Sequence, residues 1–426
     1  MTIAKTSVPK QGLWAHADFL KLWAGQSISA LGSEVSGLAI PWLAATSLQA
    51  TAFEFSLLRV LGILPFVLFT LPAGVWADRL RRRPLLIIGD ATRALLLAFV
   101  PLAWALGFLT MAQLLAIAFL AGTFTVMFEV AYQSYLPALL AREQLVEGNS
   151  KLQTTAAAAG TAGPALAGTL IGILTAPYAV IVDAVSFAIS TAFVVGIRAR
   201  EDDPRRSNAD APKPKLSAEL KEGLVWVMHH PHLKWIALCT GSLNFFDGII
   251  TGINLLYMQR DLGLSAVSVG LAGASFGVGS MLAALTSSRL QRGLGLGRAM
   301  VSGAVLCGVG ALAYPLAPAG NGALPVLLTG CAVMGFGAMA YNIAQVSYRQ
   351  AITPMRLLGR MNASMRWLVW GTIPLGTLAG GAIASAASMH AALWVGAVGG
   401  LFGFLPVALS PVRSIIAMPG AAQDIA

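Results

Sequence analysis

Glu34, Arg59, Asp90, Arg93, Glu129, Asp183 and Asp247 each lie inside a run of apolar residues. Ionisable groups in such runs are costly, so they mark either chemistry or buried pairing. A carboxyl withdrawn from water is disfavoured in its ionised form and can exchange a proton as its access to water changes. Glu34 and Asp247 have no basic residue within a turn or so in sequence, which makes them the first candidates for carrying a proton. Glu129 is the third. Asp90 and Arg93 stand one helical turn apart on one face and are expected to form an intramembrane pair. For this pair and for Asp183 a structural role is the plainer expectation.

Other chemistry is poorly served. His229, His230 and His232 are interrupted by Pro231, so they do not share one helical face and no metal site is expected. Cys239, Cys307 and Cys331 sit in apolar runs without metal spacing and read as packing residues. No HExxH and no GxxxxGK[ST] occurs. ATP is therefore not the direct energy source, no cofactor is expected, and the chain does not read as an enzyme.

The elements that must position these residues are long helices. Hydrophobic residues make up 57% of the 426 and charged residues 11%, against about a quarter charged in soluble proteins. A surface so poor in charge belongs in a bilayer. The net charge of +10 raises nucleic-acid binding, which needs basic residues gathered on one face with aromatics. Here they fall between apolar runs, so no nucleic-acid partner is expected. Crossing the hydrocarbon core takes about 20 apolar residues. Twelve runs qualify: 20–45, 55–77, 85–107, 111–136, 148–174 and 178–197, then 233–257, 267–285, 300–316, 324–344, 367–387 and 391–409. With the N-terminus inside, 25 of the 28 lysines and arginines fall on the cytoplasmic side, leaving Arg59, Arg93 and Arg260. Both termini are expected to be cytoplasmic.

The fold class is thus an all-α membrane protein of twelve transmembrane helices in two six-helix halves. Residues 1–197 form the first half and 232–410 the second, with a cytoplasmic tail at 411–426. Between them, 198–231 is a charged, proline-bearing linker with a short amphipathic helix carrying Leu220, Leu224 and Val227 on one side. The halves repeat. Arg79-Leu-Arg-Arg returns as Arg289-Leu-Gln-Arg (289 − 79 = 210), Ser134-Tyr135 as Ser347-Tyr348 (347 − 134 = 213), and Leu166-Ala-Gly168 as Leu378-Ala-Gly380 (378 − 166 = 212). Near-equal offsets indicate a parallel repeat, which builds a cavity between halves that can open to either side.

Two motifs carry a family resemblance. Gly74-Val-Trp-Ala-Asp78-Arg79-Leu-Arg81-Arg82-Arg83 resembles the major facilitator signature G-x-x-x-D-R-x-G-R-R, with Arg81 in place of the second glycine. The resemblance implies a conformational latch of the outward-open state, formed by Gly74, Asp78, Arg79, Arg82 and Arg83. Gly160-Thr-Ala-Gly163-Pro164-Ala-Leu-Ala167-Gly168 resembles the antiporter motif G-P-x-x-G-G of exporters, with Ala167 replacing one glycine. Its glycines permit close helix approach and Pro164 removes a backbone donor. Ser134-Tyr-Leu-Pro137, Glu143-Gln-Leu145, Asn149, Asp183-Ala-Val-Ser-Phe187, His230-Pro231, Arg360 and Pro374-Leu-Gly376 resemble the enterobactin-exporter and macrolide-efflux-like branch. Many proton-coupled exporters of the superfamily carry an arginine in span four; here the ionisable residue of that span is Glu129.

The resemblance implies a secondary active transporter, in a bacterial inner membrane, exporting a drug-like or siderophore compound of small, amphipathic character by proton antiport. Its partners would be the substrate, protons and the lipid bilayer, and it would act as a monomer. An uptake carrier of the same fold is the alternative, and a membrane-embedded enzyme a remoter one.

Overall fold

The computed structural model describes residues 13–141, 144–199, 216–320 and 322–418; the side chains of residues 15, 71–79 and 216–220 fall outside that description. Twelve described helices are long and apolar enough to cross a membrane, and the described residues contain no strand. Spans one to six are Ala17–Thr46, Ala52–Arg79, Arg82–Ala105, Met111–Leu139, Leu145–Leu174 and Ala176–Val195. Spans seven to twelve are Leu233–Arg260, Ala266–Leu294, Leu296–Leu316, Ala323–Ala351, Met355–Ala386 and Met389–Ala408. Helices answer the bilayer because every backbone polar group must bond within its own segment there.

Local signals set the ends. Thr110 and Gln113 form a reciprocal capping box at the start of span four. Ser265 and Ser388 cap spans eight and twelve. Gly295, at φ +80°, makes the turn between spans eight and nine that a side chain would strain. Several helices outrun their apolar stretches. Span eleven starts at Met355 rather than near 367, so Arg356, Arg360 and Arg366 lie on a helix and not in an inside loop. Its first segment, Met355–Trp370, is amphipathic, which is why hydropathy alone misses it. Span eleven also breaks at Gly371, and span seven at Gly252–Ile253.

The amphipathic linker helix is Leu216–His229. It is fastened to span eleven by Glu222, which accepts from Arg360 and, at 3.3 Å, from Arg356. We call the end of the bundle carrying this linker the linker end and the opposite one the far end.

Packing distinguishes the two ends. One apolar core at the far end is shared by both sets of six spans, joining Ala39, Leu43 and Phe187 to Ile249, Ile250 and Val269. Toward the linker end the core divides. Phe19, Leu86, Tyr135 and Ile197 form one cluster within spans one to six, and Ile236, Met300, Tyr348 and Met361 another within spans seven to twelve. Between the sets, span five packs on span eight and span two on span eleven. These contacts are repeat-related. A Cβ at Gly168 would lie 3.0 Å from Cα of Val267 near the start of span eight, and one at Gly381 would lie 2.6 Å from Cβ of Ser56 near the start of span two.

Candidate functional site

A cavity of about 680 Å³ lies in the first six spans, reaching from Pro137 and Asn149 near the linker end up to Arg93 and Thr125. Its wall is mixed: Glu129, Gln133 and Gln153 are polar, Phe128 and Tyr132 aromatic. A second cavity of about 260 Å³ shares Ser33, Arg93, Thr125 and Phe187 with the first and continues to Arg59. Arg93 therefore stands at the junction of the two.

Arg93 is held from all sides. It forms an ion pair with Asp90, one turn away in span three, and both are buried. Its guanidinium lies 4.7 Å from the ring centre of Phe128 and 4.1 Å from that of Phe187, a double cation–π contact. Asp90 also accepts from Ser190 at 2.6 Å, and Asp183 from Ser186 at 3.0 Å. Pairing and hydrogen bonding are what a buried charge requires.

Glu129 is the acid that lines the main cavity. It interacts through space with Arg93 and with Arg366 of span eleven. Arg366 is exposed and stacks on Trp370, 4.4 Å from guanidinium to ring centre. Trp367 and Trp370 of span eleven and Phe66 of span two surround it. An apolar run beginning at 367 leaves Arg366 just outside span eleven, among the cytoplasmic basic residues, so the sequence alone does not single it out. The signal was available in the helical spacing of apolar residues between Met355 and Trp370.

Glu34 lies between the cavity and span five. Neighbouring Ser33 and Ala30 line the cavity, but the Glu34 side chain turns toward span five. A Cβ at Gly163 would lie 2.5 Å from Cγ and 2.6 Å from Cβ of Glu34. The glycine of the antiporter-like motif thus makes the space that Glu34 fills. Thr161, Pro164 and Gly168 of that motif face the other six spans. A Cβ at Gly273 would lie 2.9 Å from Cβ of Pro164, and one at Gly277 would lie 2.8 Å from Cα of Thr161. Gly160 has only Oε1 of Glu34 nearby, at 4.0 Å.

Asp247 is not without a basic neighbour. Arg59 of span two acts on it across the interface, and its Nε donates to the carbonyl of Thr251, one turn further along span seven, at 3.4 Å. The side chains of Gly74, Asp78 and Arg79 lie outside the described residues. Arg82 and Arg83 open span three, and Arg83 donates to the Val194 and Val195 carbonyls at the end of span six. Among the described residues no cluster of metal-binding side chains occurs. At the linker end His232 bonds the Tyr348 hydroxyl, and burial holds His230 and His232 below the ordinary imidazole range.

Comparison with known proteins agrees with this architecture. Residues 13–423 match the transmembrane secretion effector family. The chain is 27% identical to the multidrug efflux pump Tap of Mycolicibacterium fortuitum over 381 residues, covering 84% of this chain and 87% of that one. It is 23% identical to macrolide efflux protein A of Streptococcus pyogenes over 63% of this chain and 65% of that protein. A solved bacterial homologue of the iron transporter ferroportin, in its inward-facing state, superposes with a TM-score of 0.69 at 16% identity, covering 94% of this chain and 99% of that one. The twelve-span fold, the signature-like turn after span two and a family match across nearly the whole chain place this protein in the transmembrane secretion effector family, within the efflux branch of the major facilitator superfamily.

Proposed function

We propose that this protein exports a small amphipathic compound from the cytoplasm by proton antiport, using alternating access. The observation that carries the reading is the division of the core: one shared core at the far end, two separate cores at the linker end. Two rigid bodies joined at one end and parted at the other can rock about the contacts of spans five with eight and two with eleven. The distribution of basic residues favours a cytoplasmic linker end, and with that sidedness the cavity opens inward in this conformation. Its aromatic and amide-bearing wall suits a lipophilic compound with a polar or charged group. The efflux pumps among its relatives favour export over uptake.

Glu34, Asp247 and Glu129 are the carboxyls at membrane depth available for proton coupling. The turn from Gly74 to Arg83 acts as the latch of the opposite, outward-open conformation. The protein works as a monomer in the cell membrane, with both termini and the linker in the cytoplasm. Everted membrane vesicles energised with an acid interior, offered a panel of macrolide, tetracycline and catecholate compounds, test the reading. Accumulation of at least one compound that collapses with the pH gradient supports it. Accumulation only when the gradient is reversed would make the protein an uptake carrier.

A further inference from the structure

At the far end, charged residues bridge the two six-span units. Arg59 lies seven residues after Ala52, about 10 Å down span two from its far-end start. Its Nε reaches the Thr251 carbonyl of span seven, and Asp247 stands one turn before Thr251 on the same helix. Among the described residues, Arg59 is the cation that acts on Asp247 through space, and Asp247 the carboxylate that acts on Arg59, without a direct ion pair between them. The other titratable groups beside Asp247 are Cys307 of span nine and Tyr314 at that span's end. Tyr314 is occupied by Asn254 and Cys331, at 3.4 and 3.5 Å. Two more bonds cross the same interface: Ser56 Oγ to the Gly252 carbonyl at 3.0 Å, and Arg260 to the Ala45 carbonyl at 2.9 Å. Each of these bonds ends on a backbone carbonyl; the Arg59–Asp247 couple adds a through-space attraction between two side-chain charges at the same level.

We propose that Arg59 and Asp247 form a charge-dependent seal of the outer end, so that Asp247 is a gating residue and not the carrier of the transported proton. The argument rests on the antiport reading above and on the direction of the cycle. In a proton-driven exporter, proton binding must promote the return from outward-open to inward-open. A proton on Asp247 removes the negative charge that attracts Arg59 across the interface, which weakens closure of the outer end and drives the equilibrium the other way. Asp247 can therefore hold the inward-open state only while ionised. The carried proton belongs on a carboxyl whose neutralisation does not loosen that seal. Glu34 meets this condition: it lies against Gly163 within the first six spans and makes none of the cross-interface bonds just described.

A second couple has the opposite polarity. Glu129 of span four lines the main cavity, and Arg366 of span eleven lies exposed beside Trp370 on the other unit, the two acting on each other through space. Here the acid belongs to the first unit and the base to the second. Closing the linker end would bring them together while Arg59 and Asp247 part, so one charge contact replaces the other during the exchange of access.

The test is a distance measurement on the purified full-length protein. Spin labels go on cysteines introduced at Leu106 and Leu316, exposed positions at the outer end of the two units. Two of the three native cysteines are buried and the third is half-buried. Asp247→Asn and Arg59→Gln are each expected to raise the outer-open population about 5–150-fold over wild type. Arg59→Lys, which keeps the charge, should retain most of the closed population. The double variant Arg59→Asp with Asp247→Arg should restore closure that either single change destroys. Acidifying the wild type should move its distribution toward inward-open, away from that of Asp247→Asn. An Asp247→Asn distribution identical to wild type, or an acidified wild type that matches Asp247→Asn, would overturn the proposal. Loss of proton counterflow in wild-type proteoliposomes would instead strike the antiport reading, whatever the seal does.

Discussion

Gly277→Ala is a wedge placed between the two six-span units. The added methyl would lie 2.8 Å from Cα and 3.2 Å from Cβ of Thr161, on span five of the other unit. The nearest atom is backbone, so no side-chain rotation can relieve the clash and the helices must separate by several tenths of an ångström. Overpacking of this kind costs about 1–3 kcal/mol. The cost falls only on the conformation in which spans five and eight touch at this level. The outer-open population should therefore rise relative to the inward-open one by about 5–150-fold. The assay is the rate at which an impermeant thiol reagent, added outside intact cells, modifies a cysteine introduced at Ile40, which lines the second, smaller cavity. Under fast exchange that rate follows the open fraction. Gly293→Ala on the same helix is the control, since nothing lies within 4 Å of its added methyl. An unchanged rate in Gly277→Ala, with expression and folding intact, would refute the rocking of units about this contact.

Glu34→Gln is expected to keep substrate binding while abolishing the pH dependence of efflux, measured as transport rate against an imposed gradient. A variant that still drives proton-dependent efflux at full rate removes Glu34 from the coupling role. Asp78→Asn should lower transport while membrane insertion persists, because a carboxylate placed at a helix N-terminus, the role the signature implies for Asp78, is worth about 0.3–2 kcal/mol; wild-type transport would exclude the latch. His230 and His232 have imidazoles held low by burial. Their neutral form is the one the fold prefers, so their stabilising contribution is present above the unfolded value of about 6.5 and is lost as pH falls through the folded values. Thermal melts from pH 7.5 to 5.5 should show a declining midpoint that flattens in His232→Gln; an equal slope in the variant would assign the decline elsewhere.

Much of this protein is legible in its sequence because the bilayer imposes one strong rule. Backbone bonding within lipid forces long apolar helices, so the twelve spans appear as twelve runs. What hydropathy cannot see is the amphipathic extension of a span. Met355–Trp370 averages apolar and charged residues together, which hid Arg366 in an apparent loop. Side-chain partners separated by most of the chain are equally hidden. Asp247 has no cation near it in sequence, yet Arg59, 188 residues earlier, bonds the same helix one turn away and acts on it through space (247 − 59 = 188). Gly163 and Glu34 are a third case. Each stood out alone, one as a motif glycine and one as a membrane carboxyl, but only the packing of span one on span five joins them.

The central claim, that outward movement of substrate is exchanged for inward movement of protons, is tested most directly in proteoliposomes. A pH-sensitive dye is trapped inside, and the protein's orientation is determined by protease access to the linker. Substrate identified in the vesicle assay is then added on the cytoplasmic face, with valinomycin and potassium clamping the membrane potential. The account predicts that each addition of substrate moves protons toward the cytoplasmic face, and that Glu34→Gln abolishes this proton movement. Substrate flux without any proton movement, or protons travelling in the same direction as substrate, would contradict it.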